Sequence, residues 1–219
     1  MDLASFLTTL SIAAIPVIFA ITLHEVAHGW VARSFGDRTA EAQGRLSLNP
    51  IRHIDPIGTV LVPVLLLWFG GFLFGWAKPV PVNPRFLRDP RPNMALVAAA
   101  GPTANFAMAI GWALVMFVSQ DLSDGAWAQW LVLMAAYGIT INFTLALLNL
   151  LPIPPLDGGQ VLTNLMPRGP LLSLLEKVQP FGFLIVLLMI PTGVLGKILS
   201  GPMEFLQNLL VMTLGVRGL

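Results

Sequence analysis

His24-Glu25-Val26-Ala27-His28 brings two imidazoles and a carboxylate into five positions of an otherwise apolar run. On a helix, residues four apart share a face, so His24 and His28 can grip one zinc ion together. Glu25 lies about 100° further round. That is awkward for a third ligand but well placed for taking a proton from a zinc-bound water. Residues 3–23, which precede the motif, carry no charge. Ionisable groups at membrane depth cost roughly 2.5–3.5 kcal/mol each, so this cluster reads as functional and not as an idle polar patch between helices.

The rest of the chain supports a membrane setting. Of 219 residues, 56% are hydrophobic and only 11% charged; soluble domains run at about 25% charged. Mean hydropathy is +0.79. Net charge is +1, so nothing points to nucleic acid. The absence of cysteine removes thiolates as ligands or nucleophiles and leaves His, Asp and Glu to hold a metal. The apolar N-terminal run lacks a basic leader and contains the motif, so it is expected to be a retained helix. Polar stretches of at most about twenty residues leave no room for a soluble accessory domain.

The hydrophobic pattern predicts an all-α polytopic membrane protein with about five to six transmembrane helices. It is read as a single domain over 1–219, with a core at about 15–166 and C-terminal helices at about 180–216. The first helix is expected over roughly 4–33, which places His24 about 13 Å below its basic end at Arg33. Further apolar runs cover Ile57–Phe74, Met94–Val118, Trp127–Leu151 and about Phe181–Leu199, and residues 202–216 are open between a short span and an interfacial helix. Small residues at Ala98–Gly101 favour close helix packing. Trp76, Trp127 and Trp130 suit interfacial anchors.

Charge decides how Ile57–Phe74 is read. Eight of the twelve Lys and Arg lie between Arg33 and Arg91. If 57–74 dips in and returns, all eight share one side, and the acidic loop 119–126 opposite has none. The pattern then places the N-terminus outside and the active site toward the cytoplasm. A single crossing would split the eight evenly. A re-entrant, β-like membrane-associated segment between the first two core helices is therefore expected, with Gly75–Pro84 extended because its alternating prolines forbid a helix.

A catalytic zinc takes three protein ligands and one open position. The candidate third ligand is Asp157, in Asn149-Leu150-Leu151-Pro152-Ile153-Pro154-Pro155-Leu156-Asp157-Gly158-Gly159. Three prolines are expected to unwind the chain and set Asp157 on irregular backbone near membrane depth, on the same side as His24 if 57–74 is re-entrant. Taken alone, Asp157-Gly158 is equally a turn pair.

These two motifs resemble the site-2 protease family of intramembrane zinc metalloproteases (peptidase family M50), in its compact bacterial branch without PDZ or CBS domains. Supporting similarity lies in Asn49–Thr59, Gly75–Pro84 and Ala100-Gly101-Pro102-Thr103-Ala104-Asn105, and the resemblance covers about residues 15–166. It implies one Zn²⁺ per chain on His24, His28 and Asp157, and Glu25 as the acid/base. It also implies Asn149 as support for the oxyanion. The expected reaction is hydrolysis of a peptide bond in or near the span of a single-span membrane protein, in the plasma membrane of a prokaryote. With no PDZ domain, a substrate filter falls to the membrane domain or to a separate regulatory or gating protein. One departure is topological: other branches place a helix before the metal-binding one.

Several residues stay open at this stage. His53 could support the oxyanion, gate the site or bind metal transiently, or be a plain interfacial histidine. Gly75, Trp76, Val80 and Val82 could form an edge to which an unwound substrate adds as a strand, or a surface loop. Asn105 and Asn142 read as interhelical hydrogen-bond donors. A zinc carrier would string polar residues along several helices, whereas here they cluster at one depth. An inactive scaffold would not need the full ligand set.

Overall fold

A computed structural model describes residues 3–70, 75, 77–120 and 125–216. The first helix, α1, runs Leu3–Ser34, and its 32 residues outreach the bilayer core. After a single turn, α2 (Thr39–Ala42), the Asn49 side chain caps a 3-10 turn over Pro50–Arg52. Asp55 then caps a wide helical turn, Pro56–Leu61, by accepting from the Ile57 and Gly58 N–H groups. That turn continues as α3, Val62–Gly70. Helix from 56 to 70 is about 20 Å long, short of the ~30 Å hydrocarbon core. The far end of the expected dip, residues 71–74, lies outside the described residues.

The segment 77–83 is extended, and no β-strand occurs among the described residues. Pro79, Pro81 and Pro84 remove the donors a ladder needs, so the β-like expectation is corrected to an irregular strip. Next come α4 (Pro90–Gln120) and α5 (Ala126–Asn149). Of the acidic loop between them, residues 121–124 lie outside the described residues. The chain then forms α6 (Asp157–Leu165), α7 (Pro170–Val178), a 3-10 turn at Gln179–Phe181, α8 (Gly182–Met189) and α9 (Val194–Leu214).

Among the described residues, four stretches are long and apolar enough to cross a membrane: Leu3–Ser34, Pro90–Gln120, Ala126–Asn149 and Pro170–Met189. The run expected over 181–199 is broken after Met189, where Pro191 and Gly193 (φ 71°) end one helix and start another. α9 is long enough to span, but Lys197, Glu204, Gln207 and Asn208 lower its hydropathy. Leu7, Phe19, Ile110, Phe117, Leu133 and Leu188 are all exposed. So much large apolar surface suits lipid and not water.

The core is the α4–α5 pair, against which α1 packs. Ala109, Ala113 and Met116 of α4 meet Ala135, Ile139 and Phe143 of α5, and Leu210 of α9 closes the cluster. Alanines at the crossing allow the close approach that drives association in lipid, where burial alone gives little. α6 packs back on α4, which brings the end of α5 and the start of α6 beside α1.

Candidate metal centre

His24 and His28 project from α1 toward α4, and Asp157 meets them from the first turn of α6. Asp157 thus opens a helix and does not sit on irregular backbone; the irregular part is confined to 150–156. The two Nε2 atoms are 3.1 Å apart. Asp157 Oδ2 lies 3.2 Å from His24 Nε2 and 3.5 Å from His28 Nε2. Ligands at about 2.0–2.1 Å from a tetrahedral zinc stand about 3.3–3.4 Å from one another. The triangle has that size.

The protonation of the site follows from carbonyls outside it. The Asn142 amide donates to the Gly138 carbonyl (2.8 Å), so its Oδ1 is the atom that accepts from Asn105 Nδ2 (2.9 Å). Asn105 Nδ2 also faces the Ala20 carbonyl, which leaves Oδ1 to accept from His24 Nδ1 at 2.6 Å. His28 Nδ1 donates to the Val97 carbonyl at 2.7 Å. Both neutral imidazoles therefore carry their proton on Nδ1 and point an Nε2 lone pair inward. Asp157 Oδ2 is buried with no hydrogen-bond partner. Three lone pairs face one another across little more than 3 Å, an arrangement that repels unless a cation lies between. The residues present fit zinc.

Space for the rings depends on Gly101 of α4. A Cβ there would overlap His28 Nε2 and stand 2.6 Å from His24 Cε1. The small-residue run Ala98–Gly101 thus serves the metal site as well as helix packing.

Glu25 stays outside the triangle. Its Oε2 accepts from the Val80 N–H at 2.7 Å, so the extended strip is tied to the proposed base. The strip is fixed along its length. Arg45 Nη2 donates to the Lys78 carbonyl (2.7 Å), Lys78 N–H donates to the His53 carbonyl (3.1 Å), and Asn83 N–H donates to Asp37 Oδ2 (2.6 Å). Val80 packs near Gly29 of α1, and Val82 packs against the cluster of Ala32, Leu87 and Val97. The Val80 side chain faces α1. Trp76 lies outside the described residues.

Asn149 ends α5, with Nδ2 on the Leu145 carbonyl at 2.9 Å, and its second amide hydrogen is free to donate. It lines a cavity of about 200 Å³ together with His24, Glu25, Gly75 and Ala77. His53 is buried and outside the donor cluster, its Nε2 on the Ser47 carbonyl at 2.8 Å.

Sequence reasoning placed Asn105 and Asn142 between helices but missed that Asn105 orients His24. The local signs are an amide within an apolar run and its place at the end of Ala100-Gly101-Pro102-Thr103-Ala104-Asn105, a segment that carries the family resemblance. Outer partners of this kind are worth roughly 10–100-fold in metal affinity or activity. Asn105→Ala is expected to weaken zinc binding within that range, read by competition against a chelator of known affinity.

Among family models, that of Peptidase family M50 matches residues 12–121 and 113–190. The chain is 41% identical over 192 residues to YwhC of Bacillus subtilis, spanning 86% of this chain and 84% of that protein. It is 32% identical over 182 residues to Rip2 of Mycolicibacterium smegmatis, spanning 82% of this chain and 66% of that protein. Both relatives are named as zinc metalloproteases. A regulator of sigma-E protease, RseP of Escherichia coli, is 36% identical over 115 residues, 50% of this chain and 24% of that protein. No solved structure matches the chain.

Proposed function

We propose, on the premise that this chain belongs to peptidase family M50 and is a zinc metalloprotease of the membrane, that it cuts a peptide bond within or beside the span of a single-span membrane protein. The observation that carries this reading is the inward-facing triangle of His24, His28 and Asp157, with Glu25 beside His24 on the wall of one cavity.

Zinc held there would polarise the scissile carbonyl and acidify water. Glu25 takes a proton from the attacking water, whose oxygen bonds to the carbonyl carbon. It returns that proton to the amine nitrogen as the C–N bond breaks. The Val80 N–H holds Oε2, so the carboxylate is aimed before substrate arrives. The second amide hydrogen of Asn149 supports the developing oxyanion. The His53 side chain positions the strip indirectly: its Nε2 holds the Ser47 carbonyl and so fixes the loop whose backbone carbonyl at 53 accepts from the Lys78 N–H.

A helical substrate must unwind before its carbonyl is reachable. Gly75 and Ala77 form the rim on which the unwound peptide lies, Val80 holds that rim against α1, and Val82 anchors its far end on the cluster of Ala32, Leu87 and Val97. The short helical stretch 56–70 supports a re-entrant segment. With it, the eight cations between Arg33 and Arg91 share the cytoplasmic side of a prokaryotic plasma membrane, as does the active site. A separate protein would regulate substrate access.

The test is cleavage of a single-span model substrate by the purified chain in lipid vesicles. Cleavage mapped to the span, abolished by a zinc chelator and restored by added zinc, is expected. Intact substrate with zinc-loaded protein would contradict the reading.

A further inference from the structure

The cavity beside Glu25 has a wall for which hydrolysis itself has no use. Ile21 of α1 and Leu148 of α5 form one side, Leu156 lies just before the third ligand, and Phe183 and Val186 come from α8. Among the described residues, Glu25 and His24 are its only ionisable lining residues, and the remainder is apolar apart from Asn149. Val186 is buried and Phe183 half-exposed, which sets one residue deep and the other at the lip.

The position of α8 is not incidental. Gly182 lies against the Pro154 carbonyl so closely that a Cβ there would overlap it. Pro154 is three residues before Asp157, so the loop that delivers the third ligand also seats the helix that walls the cavity. Space, apolar lining and contact with the proposed base therefore coincide.

We propose that this cavity is the subsite for one apolar side chain flanking the scissile bond, and that Val186 and Phe183 set the size it accepts. The proposal rests on the peptidase reading above and deepens it. A side chain arriving from lipid gains little from apolar burial as such, so selection here works through fit. Fit is a modest discriminator: one methylene in an apolar pocket is worth about 10–200-fold.

The experiment uses the full chain in vesicles and a single-span model substrate whose cut site is mapped by mass spectrometry. The two residues flanking the cut are varied through Ala, Leu and Phe. For the wild type, one of the two positions is expected to prefer a larger apolar residue over Ala. Val186→Phe fills the cavity and is expected to lower the Leu-to-Ala ratio of kcat/KM at that position by about 10-fold. Phe183→Ala opens the lip and is expected to raise the Phe-to-Leu ratio there. A merely structural role would lower all substrates together and leave both ratios unchanged, which would overturn the subsite. If Val186→Phe loses its zinc through misfolding, Phe183→Ala at the half-exposed lip decides the matter. Failure of zinc-loaded wild type to cut any of the substrates would overturn the peptidase reading, and the subsite with it.

Discussion

Glu25→Gln is expected to keep one zinc per chain and lose cleavage. Glu25 is no member of the donor triangle, so the metal keeps His24, His28 and Asp157. The variant amide has the same shape, and its oxygen can still accept from the Val80 N–H, so the strip 77–83 stays in place. What disappears is the proton acceptor. General-base catalysis contributes typically about 10²–10⁴-fold, and the loss should fall on kcat with KM little changed. Steady-state kinetics on zinc-loaded wild type and variant read this directly. An undiminished kcat would remove Glu25 from the mechanism.

Asp157→Ala acts on the metal instead. It removes one of three ligands and leaves two imidazoles, held by Asn105 and the Val97 carbonyl, facing an open side. Zinc per chain is expected to fall well below one, and cleavage to background. Stability supplies a second readout. A ligand at about 1,000 times its Kd stabilises the folded state by about 4.1 kcal/mol. Chelation should therefore lower the melting temperature of the wild type and leave that of Asp157→Ala nearly unmoved. A variant that retains full zinc would show that another group completes the site.

The three donor residues that the structure brings together are the three named from the sequence, two by local spacing and the third by the need to complete a ligand set. His24 and His28 share a helix face by spacing alone, and Asp157 answers the need for a third ligand. Their supports were not legible, because the partners lie far along the chain. His24 leans on Asn105 of α4, which leans on Asn142 of α5. Glu25 meets a backbone N–H that belongs to Val80, and no side-chain type announces a backbone donor.

The fold divides in a similar way. Long uninterrupted apolar runs marked α1, α4 and α5 with ends close to those observed, since a membrane helix satisfies its own backbone and needs little tertiary context. The C-terminal region was harder. An apolar average over 181–199 hides Pro191 and Gly193, which divide α8 from α9. The prolines of the strip ruled out helix, and left an edge strand and an irregular strip both open; the described residues take the irregular form, since the prolines leave few donors for a ladder. Asp157 was expected on unwound backbone after three prolines. Helix resumes at once there, because the last of those prolines lies two residues upstream and opposes nothing beyond itself.

The most direct measurement is zinc K-edge X-ray absorption on the purified chain. One zinc per chain is expected, with two imidazole nitrogens and carboxylate oxygen at about 2.0–2.2 Å. A protein that binds no zinc, or a zinc whose shell lacks the pair of imidazoles, would contradict the assignment of His24, His28 and Asp157 as its ligands.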